Sequence, residues 1–311
     1  MKKVIIDLLG ADNGPEELLS GVVKAAEKFP SLGFILVGDE SAARAFLKKE
    51  GVSAPSFEFI RATDFISNHE PAMAIFKGRD ECSTAKALDA LKCDEDVIGL
   101  LSAGNTGALM VGSIFRLGLK DGLKAPALST MLPNVKGGMT TLVDCGANVN
   151  IDAANLVDFA KLGSEFVKRM FDLKDPRVAL LNVGREEGKG SPLYVQAYGL
   201  LKTAGENGEI HFIGNAEGYD IITGYADVVV CDGFAGNIVL KLTEAVGKTA
   251  LSIVESKVDP KTQDKLKDLF VFNERGGATF LGTKKPVIKM HGCANADTVV
   301  ACTGQLLKVS G

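Results

Sequence analysis

Positive charge is not in excess in this chain of 311 residues: 35 Lys and Arg stand against 39 Asp and Glu, a formal net charge of −4. The sequence pI is about 5.6. Non-specific nucleic-acid binding needs a basic footprint, so nucleic acid is not an expected partner. No apolar run approaches the roughly 20 residues of a membrane span, which excludes integral insertion but leaves attachment to a membrane surface open. There is no C-x-x-C among the six cysteines, Cys82, Cys93, Cys145, Cys231, Cys293 and Cys302, and no Cys/His group with zinc spacing. The opening "MKKVIIDLLG" does not read as a signal peptide. The expected location is therefore a reducing cytoplasm, with the cysteines acting as small buried hydrophobes.

Several catalytic signatures are also missing. No G-x-G-x-x-G follows a strand, so a Rossmann dinucleotide site has little support. No G-x-S-x-G or H-E-x-x-H occurs, which removes the usual serine-hydrolase elbow and the zinc-protease helix. "NVGREEGKGSP" fails the P-loop pattern: three residues separate Gly184 from Gly188, and Gly190 stands where Ser or Thr would hold magnesium. The three histidines, His69, His211 and His291, are too scattered to suggest a metal. His211, inside "EIHFIG", reads as packing, whereas His291 at a strand end is a site candidate. Neither metal nor cofactor is expected.

What remains is 46% hydrophobic, 24% charged and 6% aromatic with no Trp, an ordinary composition for a soluble enzyme. The rhythm is strand, turn, helix. "KVIIDLLG", "GFILVGD", "FEFIRAT", "DVIGLLSAG", "APALSTML", "TTLVDCGAN", "RVALLNVG", "EIHFIGN", "ADVVVCDG" and "PVIKMHG" read as strands. Pro15, Glu16 and Glu17 open a helix running to about Lys28. "DAANLVDFAKLGSEFVKRMF" is a long helix with Leu156, Phe159, Ala160 and Gly163 on one face. Runs such as "DVVVC" are apolar on successive residues, the habit of parallel strands covered on both faces. The fold class is α/β with a mostly parallel sheet. Composition marks no domain boundary, so residues 1–311 read as one catalytic unit, with two lobes around a cleft as the variant reading.

Small-residue phrases follow these strands: "SAGNTGALM" at Ser102–Met110, "DCGANVN" at Asp144–Asn150, "NVGREEGKG", "FIGNAEG", "CDGFAGN" and "MHGCANAD". In an open parallel sheet ligands bind beyond the carboxyl ends of the strands, so these phrases are expected to rim one cleft. Glycine lets backbone approach a ligand, and N–H groups at helix starts favour anions. Asn105 and Thr106 can cap a helix and touch a ligand. Arg185 and Lys189 bring charge beside Glu186 and Glu187, where a solvated loop of ion pairs is the alternative. Asn237 and Lys241 lie four apart and share a helix face. An anion or a carboxylate such as Asp232 would account for Lys241, and snorkelling to solvent is the alternative.

"SAGNTGALM", "LVDCGAN", "LLNVGREEGKG", "FIGNAEGYDI", "DVVVCDGFAGNIVLK" and "GGATFLG…HGCANAD" occur together and in this order. The sequence resembles the bacterial phosphate acyltransferases of phospholipid synthesis, from "VIIDLLGADNGPE" to "HGCANADTV". The resemblance implies a three-layer α/β/α sandwich like phosphotransacetylase and the isocitrate/isopropylmalate dehydrogenases. It implies the reaction of acyl-acyl-carrier-protein (acyl-ACP) with inorganic phosphate to give acyl phosphate and ACP. It further implies a homodimer, cytoplasmic and peripherally attached to the membrane, where acyl phosphate passes to a glycerol-phosphate acyltransferase. Two positions depart from the family pattern: Asn13 stands for a histidine and Ala11 for a glycine in the first loop. The family's Arg-Pro-Ala is Lys124-Ala125-Pro126-Ala127 here.

That chemistry needs no Ser or Cys nucleophile, because phosphate itself attacks. The protein must hold phosphate at the thioester and stabilise an oxyanion with fixed donors, and a thiol of pKa ~8.5 leaves without much acid help. The expected catalytic residues are Lys189, Lys241, Asp232 and Asn237. The expected phosphate and substrate contacts are Gly104, Asn105, Thr106, Gly107, Asn148, Arg185, Glu187, Asn215, Glu217, Gly236 and His291. "LKDLFVF", Leu266–Phe272, carries Leu266, Leu269 and Phe270 at helical spacing and reads as a membrane-docking, dimer or core helix. Two other functions stay open: a phosphotransacetylase-like enzyme using acyl-CoA, and a catalytically weakened relative that binds ACP or membrane.

Overall fold

The computed structural model describes residues 1–52, 57–254, 257–270 and 276–310. Its strands are β1 (Lys3–Asp7), β2 (Gly33–Gly38), β3 (Phe57–Arg61), β4 (Val97–Ser102), β5 (Ala127–Pro133), β6 (Met139–Val143), β7 (Arg177–Leu181), β8 (His211–Ala216), β9 (Val228–Val230), β10 (Ala278–Leu281) and β11 (Val287–Lys289). Its helices are α1 (Pro15–Lys28), α2 (Glu40–Lys49), α3 (Ser83–Cys93), α4 (Thr106–Gly112), α5 (Ala153–Phe171), α6 (Pro192–Glu206), α7 (Gly218–Thr223), α8 (Gly233–Val254), α9 (Pro260–Phe270) and α10 (Ala296–Val309). Two compact units result: Met1–Gly122 with Asn273–Gly311, and Leu123–Phe272.

In the first unit the strands lie in the order β3-β2-β1-β4-β11-β10. All pairs are parallel except β10 with β11. Every residue of β2 is buried. Because successive side chains point to opposite faces, that pattern requires helices on both faces. α1 begins with Pro15 and two acids in its first turn and ends on Lys28, as the sequence suggests. α10 is capped by Asn295, whose Oδ1 accepts from the Thr298 N–H at 2.9 Å. A 3-10 turn at Ala72–Phe76, α3 and β10 were not among the expected elements.

The second unit orders its strands β5-β6-β9-β7-β8. β6, β9, β7 and β8 are mutually parallel, and β5 runs antiparallel to β6. α5 is held at its start by a reciprocal capping pair, Asp152 and Asn155. It buries Leu156, Phe159, Ala160 and Gly163, the face read from the sequence. α9 packs on α8, with Phe270 against Gly247, where a Cβ would come within 2.8 Å of the Phe270 side chain. The apolar spacing of "LKDLFVF" is thus partly spent on protein contacts; its last two residues, 271 and 272, lie outside the described residues. Lys261, Lys265 and Lys267 of α9 are exposed.

Candidate active site

In the first unit three turns meet beyond the carboxyl ends of β1, β4 and β11. Gly10 has φ +82°, and a Cβ there would lie 2.9 Å from the Gly104 Cα, so the two backbones meet with no side chain between them. Below them Asp7, fully buried, accepts from the Ser102 hydroxyl at 2.9 Å and the Leu9 N–H at 3.1 Å. The Ser102 Oγ in turn accepts the Gly104 N–H at 3.1 Å. Burial pushes the Asp7 carboxyl above its ordinary range, and these donors oppose the shift. The first loop docks on the last: the Asp12 N–H donates to the Gly292 carbonyl at 2.8 Å, and Asn13 Nδ2 donates to the Cys293 carbonyl at 3.0 Å. Asn13 is therefore a tether in this chain.

Asn105 and Thr106 separate in role. The Asn105 Oδ1 accepts the Ala108 N–H at 2.9 Å, capping α4, and its Nδ2 donates to the Ser67 and Glu70 carbonyls at 2.8 and 3.1 Å. Its carboxamide is fully spent on the fold. The loop it ties down is clamped again by Arg79, which donates to Asp64, Glu70 and the Phe65 carbonyl. Thr106 is half-buried, and its hydroxyl has no partner among the described residues. Gly107 packs on Ala72, where a Cβ would come within 2.8 Å of the alanine Cβ, so its smallness serves packing. His291 Nδ1 lies 2.9 Å from Cys293 Sγ.

In the second unit "DCGAN", "GREEGKG" and "CDGFAGN" follow the ends of β6, β7 and β9, and "GNAEG" closes β8 and runs into α7, so the four phrases lie at the carboxyl ends of four mutually parallel strands. Asp144 is the hub of the first turn. Its buried carboxylate accepts five N–H groups: Leu128, Gly146, Ala147 and Asn148 from the backbone, and Asn148 Nδ2 at 2.8 Å. Burial pushes the Asp144 carboxyl up, and the five donors oppose that. Asn148 also donates to the Pro126 carbonyl at 2.7 Å, so it braces the turn. α8 starts directly on this turn: the Gly233 N–H reaches the Asn148 carbonyl at 2.7 Å. A Cβ at Gly236 would overlap the Asp144 carbonyl oxygen.

Asp232 precedes α8 and accepts the Ala235 N–H at 2.8 Å and the Tyr194 hydroxyl at 2.6 Å. It is thus occupied by Tyr194, not by Lys241. Burial, with Asp232 adding to it, pushes the Tyr194 phenol up, so the tyrosine stays a donor. Lys241 is exposed and has no ion-pair partner among the described residues. Asn237, half-buried one turn before it, lies against the Gly146 turn with its carboxamide unpaired among the described residues.

The remaining expected contacts are largely committed within the unit. Arg185 pairs with buried Asp220 at 2.5 Å and lies over the Tyr225 ring. Glu187 pairs with Lys202 at 3.0 Å, which holds its carboxyl below the usual range. Asn215 donates to the Glu186 carbonyl at 2.8 Å and accepts from Asn182, which itself donates to the Lys189 carbonyl. These two asparagines brace "GREEGKG" from beneath and leave Lys189 exposed, 3.9 Å from Glu186. Glu217 is exposed at the start of α7, its N–H donating to Asp220. His211 corrects the packing expectation: it is exposed at the start of β8 and lies 2.7 Å from Asp175.

Sequence reasoning missed Asp7, Asp144, Tyr194 and Lys289. A signal existed for the aspartates, since the apolar runs "KVIID" and "TTLVD" each end in an acid where the strand stops. Lys289 ends β11, and its Nζ donates to the Ala103 and Met290 carbonyls at 3.0 and 2.5 Å. The buried thiols Cys145, Cys231 and Cys302 are all pushed up by burial, which makes them poor nucleophiles.

A profile of the family described as "Fatty acid synthesis protein" matches residues 2–306. A phosphate acyltransferase of Thermoanaerobacterium thermosaccharolyticum is 37% identical over 309 residues, covering 96% of this chain and 90% of its own. One from Clostridioides difficile is 33% identical over 320 residues, covering 99% and 92%. Among solved structures, a phosphotransacetylase from Streptococcus pyogenes matches with a TM-score of 0.66 and 17% identity, over 99% of this chain and 93% of its own. A branched-chain phosphotransacylase from Enterococcus faecalis V583 gives 0.64 and 16%, over 100% and 99%. At such identities the solved structures speak for the fold alone, which is the expected phosphotransacetylase-like α/β class. The sequence matches go further: the chain belongs to the phosphate acyltransferase family of fatty acid synthesis, a family of acyltransferases.

Proposed function

We propose that the protein transfers the acyl group of acyl-ACP to inorganic phosphate. The carrying observation is on α8: Asn237 lies beside the Gly146 turn, Lys241 shares its helix face one turn further on, and neither has a partner among the described residues. Most other polar groups of the glycine turns are spent on the fold. Unspent donors at the carboxyl edge of a parallel sheet suit an anion.

In this reading a phosphate oxygen attacks the thioester carbonyl carbon. A C–O bond forms, the tetrahedral oxyanion collapses, the C–S bond breaks, and the carrier thiolate leaves and takes a solvent proton. Lys241 and Lys189 offset the phosphate charge, and the Asn237 carboxamide donates to phosphate or oxyanion. Asp232, Asn105, Asn148, Asn215, Arg185, Glu187, Glu217, Gly104, Gly107 and Gly236 act by fixing turns and helix starts. His291, held by Cys293, fixes the last loop.

The reading extends to a homodimer. Phe234, Ile238, Leu242 and Val246 are large, exposed and four residues apart along α8, an apolar stripe suited to a second copy. Delivery of acyl phosphate to a glycerol-phosphate acyltransferase would need surface attachment only, since no described helix is long and apolar enough to cross a membrane.

The test is to mix the protein with acyl-ACP or acyl-CoA, add phosphate, and trap product with hydroxylamine. Phosphate-dependent acyl hydroxamate from acyl-ACP is expected. Turnover of acyl-CoA alone would favour the phosphotransacetylase reading, and ACP binding without turnover the weakened one.

A further inference from the structure

Lys289 does something that a structural lysine has little reason to do. It ends β11, pairs in register with Ser102 of β4, and curls its side chain over the strand ends to the Ala103 carbonyl, 3.0 Å away, and the Met290 carbonyl, 2.5 Å away. Ala103 is the residue that leads into Gly104. An ammonium has three N–H donors; two meet neutral carbonyls, and among the described residues no carboxylate comes within ion-pair distance. Asp7 of β1, Asp12 of the first loop, Cys293 beside His291 in the last loop and Cys302 of α10 face it at longer range. Ser102, its neighbour on β4, and Ala103 just beyond that strand do not titrate in the physiological range. Lys289 is half-buried; a cation partly withdrawn from water with only neutral acceptors at hydrogen-bond distance costs stability, and burial lowers its pKa to about 8. The same corner holds the Gly10–Gly104 backbone contact and the Asn13 tether, so three loops are built around it.

We propose that Lys289 is a substrate-contacting cation of the first unit, whose remaining N–H donates to a phosphate oxygen. The inference rests on the acyl-transfer reading for its substrate. Two reactants carry such an oxygen, inorganic phosphate and the phosphopantetheine arm of the carrier, and their KM values separate them. The proton on Lys289 is needed for binding. Affinity for the anion therefore falls as pH rises past about 8, toward tenfold per unit.

The experiment uses the full chain as wild type, Lys289→Met and Lys289→Arg. Inorganic phosphate binding is measured by calorimetry without acyl donor, and KM for phosphate and for acyl-ACP from pH 6.5 to 9.5. Loss of about tenfold or more in phosphate affinity in Lys289→Met, with Lys289→Arg retaining binding and losing the fall above pH 8, supports inorganic phosphate as the ligand. A rise confined to the KM of acyl-ACP, again with a flattened profile in Lys289→Arg, supports the pantetheine arm. Unchanged affinity and unchanged KM values in Lys289→Met overturn the inference. If that variant does not fold, the arginine variant decides alone, and an unaltered pH profile overturns it. Calorimetric binding through Lys289 in a protein that makes no acyl phosphate would sink the proposed reaction and leave this contact standing.

Discussion

Replacing Asn105 and replacing its neighbour Thr106 should have opposite signatures. Asn105→Ala removes a helix cap, worth about 1 kcal/mol. It also removes two N–H bonds to the Ser67 and Glu70 carbonyls, each worth about 1 kcal/mol. The sum is about 3 kcal/mol of lost stability, a large fraction of the ~5–15 kcal/mol typical of a folded protein. Thr106→Ala removes a hydroxyl with no partner among the described residues. Alanine's better helix propensity offsets part of the lost packing, so stability should change by less than about 0.5 kcal/mol. If the hydroxyl meets phosphate, its loss costs about one ordinary hydrogen bond, or roughly tenfold in the KM for phosphate. Urea unfolding and hydroxamate assays on the two variants separate these effects. An Asn105→Ala protein as stable as wild type, or a Thr106→Ala protein unfolded to the same degree, would refute the division of roles.

Three further outcomes follow from the geometry. Gly236→Ala forces a methyl onto the Asp144 carbonyl, and should cost more than about 3 kcal/mol or prevent folding, read by thermal melting. Lys241→Ala should lower turnover while changing unfolding free energy by less than about 0.5 kcal/mol; equal loss of both would make it structural. Lys289, lowered from 10.5 to about 8 in the fold, binds fewer protons there than in the unfolded chain between those values. Its contribution to stability therefore rises with pH from about 8 to 10.5, by up to about 3 kcal/mol. Urea titrations across that window should show this rise in wild type and its loss in Lys289→Met.

The strands were legible because short, β-branched apolar runs such as "DVVVC" and "GFILVG", bounded by glycine and acidic residues, fit strands buried on both faces. α3 was not, because its burial rests on small residues, Ala85 and Ala87 with Leu88, and its start at Cys82 carries no side-chain cap. The glycine phrases pointed correctly to strand ends, and the long amphipathic face of α5 came out as read. Individual asparagines were harder. Asn105, Asn148 and Asn215 look alike in sequence to Asn237, yet three are consumed by backbone carbonyls and turns. Which carbonyl comes to meet a carboxamide depends on segments 20 to 40 residues away in chain order, such as Ser67 for Asn105 and Pro126 for Asn148. Lys289 was hidden for the same reason: "KPVIK" reads as a strand with solvated ends until β4 is placed beside it.

The central claim is that phosphate itself takes the acyl group. The most direct measurement supplies acyl-ACP and isotopically labelled phosphate to the purified protein and analyses the product by mass spectrometry. Acyl phosphate carrying the label, formed only when both reactants are present, is the expected result. Acyl transfer that proceeds without phosphate, or labelled phosphate recovered unchanged beside intact acyl-ACP, would contradict it.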